Sequence, residues 1–377
     1  MPDSRASNPE LENAIIADPD HAQAYLAYAR WLEPLGDPRA KLITLQHAAA
    51  SAPDDKKLAA AAAAHLKAHE KELLGWLAPW QQCQDGRDQP AFAWRNGFIY
   101  AARLSIDEHS DSEFEGQLEH MYGLLLDHPS GRFLVELRTG MNLTSYDNDQ
   151  QSILEAIARR PPAALRLLHI GDFEYPDECE MSWYNIGDLG AVWAALPQLR
   201  TLIVQGGSWT MGTVVLPEVR HVELRTGGLA EESGLAIARA AMPKVDHLEI
   251  WYGDDSYGGE CTVETVAPLL ARTDLPALRR LGLRNAQFTD ELCRVLAGSK
   301  LLPQLTHLDL SMGIMTDDGA RALAADQRAF AHLRELDVSD TYVTEDGVAA
   351  LKGCARTIVA NDLRDDDSDD RYVSVGE

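Results

Sequence analysis

The 377-residue chain has little of what marks membrane, secreted or metal-bound proteins. No run approaches the roughly 18 consecutive apolar residues that a membrane helix needs. The first ten residues, MPDSRASNPE, contain no apolar signal core, which predicts a cytoplasmic protein. No Cys-x-x-Cys pair is present, and a scattered, odd set in a reducing compartment predicts free thiols. The five cysteines are Cys83, Cys179, Cys261, Cys293 and Cys354.

Positive charge is also scarce, with 34 basic against 59 acidic residues and a net charge of −25. A field of this sign repels phosphate backbones and anionic lipid, so nucleic acid and membrane surfaces are poor candidates for partners. A basic protein partner is a better candidate. Plain solubility explains the same charge and is the commoner reason for it.

Motifs for catalysis are missing as well. The chain has no glycine-rich phosphate loop, no Gly-x-Ser-x-Gly elbow, no His-Glu-x-x-His and no calcium loop. Cys293 and Cys354 occupy positions inside repeated units, where a small buried thiol is ordinary packing. The sequence therefore predicts a protein that is not an enzyme and needs no cofactor.

What the chain does have is a recurring Leu-x-x-Leu-x-Leu pattern, in about ten units spaced roughly 20 to 34 residues apart. A second internal match is the hexapeptide Val-Glu-Leu-Arg-Thr-Gly, found at 135–140 and again at 222–227. Weaker copies occur at 101–106 and 355–360. The clear copies begin at Leu165, Leu199, Val219, Val245, Leu278, Leu305 and Leu333.

The segments between these copies predict helices. Thr289, Thr316 and Thr344 each precede acidic residues, as expected of a capping hydroxyl followed by a first turn that favours negative charge. One strand and one helix cannot bury their leucines alone, but stacked units bury them against each other. We therefore expect an α/β solenoid in the form of a horseshoe, with a parallel sheet on the concave face and helices on the convex face.

Residues 165–360 resemble bacterial leucine-rich repeats of the ribonuclease-inhibitor-like class. The endings Leu-Asp-Leu-Ser at 308–311 and Leu-Asp-Val-Ser-Asp-Thr at 336–341 are typical of that class. The resemblance implies a horseshoe that binds protein, although members of the class have very diverse partners.

Residues 9–80 follow a helical pattern instead. Helices are predicted after Asn8, after Asp20 as a cap, after Asp37, and from about Asp54 to Leu77. Ala-Asp-Pro-Asp at 17–20 and Gly-Asp-Pro-Arg at 36–39 resemble a small bacterial repeat-companion domain, with Ala40 where that domain usually has glycine. We interpret the region as a cap on the open end of the solenoid; a separate docking role is the alternative.

The predicted organisation is a helical companion domain at 1–80, a linker at 81–97, the solenoid at 98–362, and an acidic loop with a capping strand at 363–377. The alternation Tyr-Val-Ser-Val at 372–375 predicts that strand, which would cover the last repeat. A tail that binds another molecule is the less favoured reading. The acidic run at 365–370 is expected to be a solvated loop.

Strand alternation places the third, fifth and seventh positions of each pattern on the predicted concave face. The third position holds His221, His247 and His307, and the fifth holds Glu136, Glu223, Glu249, Asp309 and Asp337. Strands lie about 4.8 Å apart, so His221, Glu223, His247 and Glu249 form a square that could hold zinc. Pairing among solvated neighbours is the favoured interpretation, and no metal is predicted.

Three strands are followed by long insertions, at 171–187, 205–215 and 251–260. They should meet at one rim, where tyrosine and tryptophan on rigidly held loops are typical of interface anchors. Packing of the loops against the solenoid is an equally weighted alternative. The predicted partner-binding residues are Phe173, Tyr175, Trp183, Tyr184, Trp209, Glu223, Arg225, Glu249, Trp251, Tyr252, Tyr257 and Arg284.

The function predicted from these features is a protein-interaction scaffold or receptor, with the partner held in the concavity. An effector or adaptor is the alternative, in which the N-terminal helices recruit machinery and the repeats select a target. A metal protein or enzyme built on the histidine–glutamate square is the least favoured.

Overall fold

The computed structural model describes residues 7–82, 91–106, 118–143, 148–365 and 371–377. It separates into two compact units, the first comprising Met1–Tyr146 with Glu155–Leu168 and the second comprising Asp147–Leu154 with His169–Glu377. Among the described residues, every helix falls short of the length and apolarity needed to cross a membrane. Cys83 and the acidic residues 366–370 lie outside the described residues.

Three helices of the first unit begin where the local sequence supplies a side-chain cap. The Asn8 side chain accepts a hydrogen bond from the Leu11 amide, and Asp37 and Asp55 act in the same way at two later helices. Each side chain satisfies an amide that has no partner inside its helix. The helices are α1 (Pro9–Ala17), α2 (Ala22–Leu32), α3 (Pro38–Ser51), α4 (Lys56–Ala68), α5 (Glu70–Leu74) and α6 (Ala78–Gln82).

Two expectations for this region were wrong. The cap position of α2 is His21, and it makes no side-chain hydrogen bond, whereas the Asp20 carboxylate lies 2.8 Å from the Arg95 guanidinium. The single helix expected up to Leu77 is interrupted at two places. The first is His69, between α4 and α5, with a φ of −115° and a ψ of 20°. The second is Gly75, whose φ of 51° lies outside the helical region. The alanine-rich pattern alone does not reveal either interruption.

An aromatic cluster forms the core beneath these helices. Phe133 packs edge-on against Tyr28 and Phe98, with ring centroids 5.7 and 4.7 Å away, and Tyr25 lies 6.1 Å away. Edge-to-face pairs of this kind are a favoured arrangement of aromatic rings. Because Tyr25 and Tyr28 belong to α2 and Phe98 begins a strand, the helices and the strands of this unit share one core.

The strands of the first unit begin inside the segment expected to be a linker. An antiparallel hairpin turns at Asn96 and Gly97, whose φ values of 50° and 82° suit a tight Asn-Gly turn. The hairpin's second strand pairs in parallel with the next strand. The weak copy of the repeat at 101–106 and all but the first residue of the hexapeptide at 135–140 therefore fall in strands. The elements are β1 (Phe92–Arg95), β2 (Phe98–Ile106), α7 (Leu118–Asp127) and β3 (Glu136–Asn142).

The second unit alternates strands with helices. Two elements contain the division points between the units, α8 (Gln151–Arg159) and β4 (Leu167–Ile170). The remaining elements are β5 (Asn185–Asp188), α9 (Gly190–Ala195), β6 (Thr201–Gln205), β7 (Gly207–Thr210), β8 (His221–Arg225), α10 (Glu231–Ala238), β9 (His247–Gly253), α11 (Val263–Leu270), β10 (Arg280–Ala286), α12 (Thr289–Leu296), β11 (His307–Asp309), α13 (Asp317–Ala325), α14 (Gln327–Phe330), β12 (Glu335–Asp337), α15 (Glu345–Ala350) and β13 (Thr357–Val359).

The main sheet of this unit is parallel, in the order β6-β8-β9-β10-β11-β12-β13. The pattern leucines are in register, so Leu248 pairs with Leu281, Leu281 with Leu308, and Leu308 with Leu336. All four are at most 1% exposed. The Leu-x-x-Leu-x-Leu pattern therefore sets both the register and the core, and the predicted α/β leucine-rich-repeat fold with a helical N-terminal region is confirmed.

Acidic residues at the helix starts connect successive repeats. Asp290 of α12 accepts hydrogen bonds from the amide and hydroxyl of Thr316, at 2.9 and 2.7 Å. Asp317 of α13 accepts from the same two groups of Thr344, both at 2.9 Å. Thr289, expected to cap α12, instead lies inside the helix and donates to the Ala286 carbonyl. The first-turn acids thus hold the next repeat in place as well as favouring their own helix.

Residues 371–377, here called the C-terminal segment, contain no strand. The expectation of a strand over the last repeat was therefore wrong. The segment crosses the carboxyl ends of five earlier strands, β8 to β12. Within it, Val373 and Val375 are 3% and 4% exposed. Its amides donate to Met312 and Asn285, which belong to other repeats, rather than to a neighbouring strand.

Candidate functional site

The clearest concentration of polar side chains lies on the face of strands β8, β9 and β10 that alternates with the buried leucines. The structure brings the expected histidines together: the rings of His221 and His247 are 4.3 Å apart. Their partners are the carboxylates two residues later, Glu223 at 2.5 Å from His221 and Glu249 at 3.8 Å from His247. We call the following group the sheet-face cluster: His221, Glu223, Arg225, His247, Glu249, Trp251, Arg284 and Asp309.

Glu249 is the most heavily engaged residue of the sheet-face cluster. Its Oε1 accepts from the Trp251 indole N–H at 2.7 Å and from Arg284 Nη1 at 2.9 Å. The Arg284 guanidinium also lies over the Trp251 ring, 5.3 Å from its centroid. Charge-assisted bonds and a cation–π contact therefore fix all three side chains in one arrangement.

Gly282 explains why Arg284 can reach across the sheet. It occupies the position between Glu249 and Asp309 in the column of acidic residues. A Cβ atom there would lie 3.0 Å from Glu249 Cγ and 3.5 Å from Arg284 Cδ. In the space that glycine leaves, Arg284 pairs with Glu249 and also with Asp309, at 3.3 Å. The Leu-x-x-Leu pattern does not reveal this gap.

Glu223 is the second carboxylate of the sheet-face cluster that pairs with more than one side chain. It pairs with Arg225 as well as with His221, and Arg225 Nη1 donates to the Gln205 side chain at 3.2 Å. Gln205 in turn donates to the Phe173 carbonyl at 2.8 Å. A hydrogen-bonded chain therefore runs from the first insertion to the sheet-face cluster.

Burial and pairing compete in setting the acidity of this face. Burial by itself raises the pKa of Glu249, but His247, Arg284 and Trp251 outweigh it and hold the pKa at about 2. Burial likewise opposes His221 and Arg225 at Glu223, and the net pKa is again lowered. At Asp309, burial outweighs Arg284 and the pKa is raised. Glu223 and Glu249 are therefore held as carboxylates.

The histidine–glutamate square forms, but its donors are engaged with each other and with arginine. The described residues contain no group of three or more His, Cys, Asp or Glu side chains arranged to hold a metal ion. Asp309 and Asp337 lie further along the same column, and each accepts from the backbone amide two residues later, at 2.9 and 2.8 Å. Part of the acidic column therefore bonds the backbone amides just beyond the ends of its own strands.

The aromatic residues of the insertions divide into two groups. Phe173, Tyr184, Trp209 and Tyr252 are 0–7% exposed, and the rings of Phe173 and Tyr184 lie 4.9 Å apart. Phe173, Tyr184 and Trp209 pack the insertions, as the alternative interpretation proposed, and Tyr252 packs in the core from β9. Trp183 and Tyr257 are 64% and 37% exposed, and Tyr175 and Trp251 are half-buried, so these four are accessible to a partner.

The insertions are also more regular than expected. Strands β5 and β7 come from the first and second insertions and pair in parallel as a separate two-stranded sheet. The third insertion begins later than expected, because β9 continues through Trp251 and Tyr252 to Gly253. Alternation then separates those two neighbours: Trp251 lies on the face of Glu249, whereas Tyr252 is buried beside Phe288 at 5.2 Å.

The cysteines do not form a reactive site among the described residues. Cys179, Cys261, Cys293 and Cys354 are free and buried, as expected of packed thiols. Burial raises the pKa of Cys179 to about 11 and that of Cys261 to about 12. Thiols with raised pKa values are poor nucleophiles at neutral pH.

Residues that the sequence did not single out line the turns where the sheet ends. Asn285 lies near the end of β10, and Met312 and Asp340 follow β11 and β12 at the corresponding positions, with φ values of 54°, 69° and 54°. Asn285 is fully buried, and its side chain bonds both backbone groups of Val375. The signal that could have found these residues is their shared position in successive repeats.

Comparison with known proteins supports this architecture. A family model described as Leucine Rich repeat matches residues 302–324, which contain β11 and most of α13. A crystal structure of a Bacteroides fragilis protein is similar over 85% of this chain and 86% of that chain, with a TM-score of 0.63 and 21% identity. A Listeria monocytogenes internalin, aligned over 63% of this chain and 56% of its own, has a TM-score of 0.27 and 14% identity.

No curated protein matches the chain. The leucine-rich-repeat fold is therefore supported by the family-model match, the Bacteroides structure and the in-register strand–helix units. The internalin comparison adds nothing to that argument, because its TM-score is too low. Taken together, the repeats and the match at 302–324 identify the chain as a leucine-rich-repeat protein.

Proposed function

We propose that this leucine-rich-repeat chain is a non-catalytic scaffold that binds a protein partner through the sheet-face cluster and the accessible rim aromatics. Leucine-rich-repeat folds in general support protein–protein interaction. The accessible aromatics are Tyr175, Trp183, Trp251 and Tyr257. Phe173, Tyr184 and Trp209 would contribute by holding the insertions in place, and Tyr252 by packing in the core, rather than by direct contact.

The observation that carries the proposal is the arrangement of Trp251, Glu249 and Arg284. Tryptophan and arginine are enriched among residues that dominate binding energy at protein interfaces. Here both are fixed before any partner arrives, through the Glu249 carboxylate at 2.7 and 2.9 Å. A surface fixed in advance loses less conformational entropy on binding, which favours affinity.

Charge favours a basic partner. The whole chain has a net charge of −25, and within the sheet-face cluster three carboxylates (Glu223, Glu249 and Asp309) face two guanidinium groups (Arg225 and Arg284). Association with a basic protein would be steered by this field and slowed by salt. Nucleic acid and membrane surfaces are not proposed as partners, and a cytoplasmic location remains our prediction from the sequence.

The adaptor alternative assigns recruitment to the N-terminal helices. Packing in the first unit supports a capping role instead. Tyr25 and Tyr28 of α2 share a core with Phe98 and Phe133, which precede or begin the strands of that unit. A region that covers the apolar side chains of Phe98, Phe133 and Val135 in this way has a sufficient structural reason to be present.

The test is affinity capture from native extract of the source cells, with wild type beside Trp183→Ala/Trp251→Ala/Glu249→Lys. Circular dichroism first establishes that the variant is folded. A matched control, Trp76→Ala/Glu232→Lys, also removes an exposed tryptophan and reverses an exposed glutamate, but away from the sheet-face cluster. Each captured protein is then purified and its affinity for the three chains is measured.

We expect a partner that binds wild type and the control equally and binds the sheet-face variant at least about tenfold more weakly, as loss of anchor residues requires. Raising the salt concentration should slow its association. Equal affinity for all three chains would contradict the proposal and shift attention to the N-terminal helices.

A further inference from the structure

The turns at the carboxyl ends of β8 to β12 form a groove that already contains a peptide, the chain's own C-terminal segment. We call it the rim groove and define it by Gly227, Tyr257, Asn285, Met312 and Asp340. The segment crosses these turns in the order opposite to the repeats, so that Ser374 contacts Met312, Val375 contacts Asn285 and Glu377 contacts Tyr257.

Backbone recognition in the rim groove is the strongest observation. The Asn285 side chain donates to the Val375 carbonyl at 2.6 Å and accepts from the Val375 amide at 3.0 Å. The Met312 carbonyl accepts from the Ser374 amide at 2.9 Å. These hydrogen bonds are made to main-chain groups, which every extended peptide has. They would therefore hold any peptide whose side chains fit.

Side-chain contacts define which peptides fit. Val373 and Val375, two positions apart, point into the buried side and are 3% and 4% exposed. Ser374 lies between them, and its hydroxyl bonds the Asp340 carboxylate at 2.5 Å and the Met312 carbonyl at 3.0 Å. The site therefore accepts small aliphatic side chains at alternate positions with a hydroxyl between them.

Gly376 and Glu377 further restrict which peptides the rim groove can bind. A Cβ atom on Gly227 would lie 1.7 Å from the Gly376 carbonyl oxygen, and one on Gly376 would lie 2.6 Å from the Tyr257 ring. Glycine is required on both sides of this crossing because the two backbones approach too closely for side chains. Beyond it, the Tyr257 hydroxyl donates to the Glu377 carboxylate at 3.1 Å.

We propose that the rim groove is a binding site for an extended peptide of a partner protein, and that the C-terminal segment is its intramolecular occupant. The partner peptide would have the order small aliphatic, hydroxyl, small aliphatic, glycine, acid. This site lies beyond the sheet-face cluster and shares only Tyr257 with the accessible rim aromatics, and it does not depend on the function proposed for that cluster. A tethered occupant competes at an effective concentration of the order of millimolar, so a partner must bind more tightly or the segment must first be released.

The test uses the full chain and a fluorescent peptide with the sequence of residues 371–377. The variant Val373→Asp/Val375→Asp releases the occupant, because two carboxylates cannot be buried without partners. Fluorescence anisotropy should show that this variant binds the peptide at least about tenfold more tightly than wild type, since the tethered competitor is gone. Adding Asn285→Ala should remove that gain, and a peptide with Asp at both valine positions should not bind.

Trp251→Ala, introduced into the released variant, is the matched control and should leave peptide affinity unchanged, which separates this site from the sheet-face cluster. If circular dichroism finds the double variant unfolded, Val375→Pro replaces it, because proline removes the amide that donates to Asn285. A folded, released variant that does not bind the peptide would overturn the proposal. So would wild-type dimers that form with concentration and disappear in the released variant, since they would assign the groove to the segment of a second copy.

Discussion

Asn285 and Val375 lie 90 positions apart in sequence and exchange two hydrogen bonds, at 2.6 and 3.0 Å. The C-terminal segment does not pair with a neighbouring strand, and the Asn285 side chain instead bonds the amide and the carbonyl of Val375. It does so from a left-handed backbone conformation, with a φ of 54°. One buried side chain therefore ties the end of the described chain to the middle of the sheet.

Two substitutions of Asn285 should separate the contribution of its hydrogen bonds from that of its left-handed backbone conformation. Asn285→Ala should lower the free energy of unfolding by about 3 kcal/mol, because it leaves buried backbone groups unpaired and because alanine tolerates the left-handed conformation less well than asparagine does. Asn285→Gly loses the same hydrogen bonds but accepts the conformation, so its cost should be smaller by about 1 kcal/mol. Urea unfolding measures both, with the exposed Asn361→Ala as control. Equal losses in the two variants would show that the backbone conformation costs nothing.

The bridge between repeats at Asp290 should matter more than an ordinary surface acid. Asp290→Ala should destabilise the chain by about 2 kcal/mol, because the Thr316 amide and hydroxyl and the Gly319 amide lose their acceptor. Asp318→Ala, one repeat on, removes an acid that is 69% exposed and should cost less than about 0.5 kcal/mol. Chemical denaturation of the two variants compares them directly, and similar values would contradict a role between repeats.

Acid should destabilise the chain through Glu249. Its pKa is about 2 in the folded state, below the ordinary value of 4.5, so the unfolded chain binds the proton first. The stabilisation is fully present above about pH 4.5 and is lost as pH falls toward 2, amounting to about 3 kcal/mol by linkage. Asp309 has a raised pKa and acts in the opposite sense, since its stabilisation is lost as pH rises.

Unfolding free energies measured from pH 6 to pH 2 for wild type and Glu249→Gln test this. The glutamine variant should be less stable near neutral pH, because it loses the charged partner of Arg284, but its stability should fall less on acidification. Parallel pH profiles for the two chains would mean that Glu249 is not the titrating group.

The shared core of the first unit predicts joint unfolding of its helices and strands. Phe133→Ala should cost about 3–5 kcal/mol, because it removes a ring that is 1% exposed and contacts Tyr28 and Phe98. Hydrogen exchange measured by mass spectrometry should show α2 and β2 losing protection by the same amount. Leu35→Ala, at a side chain that is 41% exposed, is the control. Loss of protection in β2 alone would argue that the helices form an independent domain.

Local pattern was enough to predict the strands that carry the Leu-x-x-Leu-x-Leu repeat. Leu248, Leu281, Leu308 and Leu336 occupy equivalent positions in successive repeats, and the structure pairs each with the next. Alternation alone then placed His221 beside His247 and Glu223 beside Glu249. These features could be predicted because strand geometry has a period of two and the leucines leave one register available.

The insertions could not be read in the same way. Trp251 and Tyr252 are adjacent and chemically similar, yet one is half-buried beside Glu249 and the other is 2% exposed in the core. Where β9 ends decides this, and its end depends on pairing with β10 rather than on its own residues. Trp183 and Trp209 divide in the same way, at 64% and 7% exposed.

Periodicity in the sequence by itself determined the repeat, the leucine core and the polar columns on the sheet, because these depend on spacing within about 30 residues. Tertiary structure alone decided that Arg284 bridges Glu249 and Asp309 through the space at Gly282. It also decided that the C-terminal segment lies against Asn285 rather than over the last repeat. The physical reason is that both outcomes depend on contacts between distant parts of the chain, and no local preference encodes such contacts.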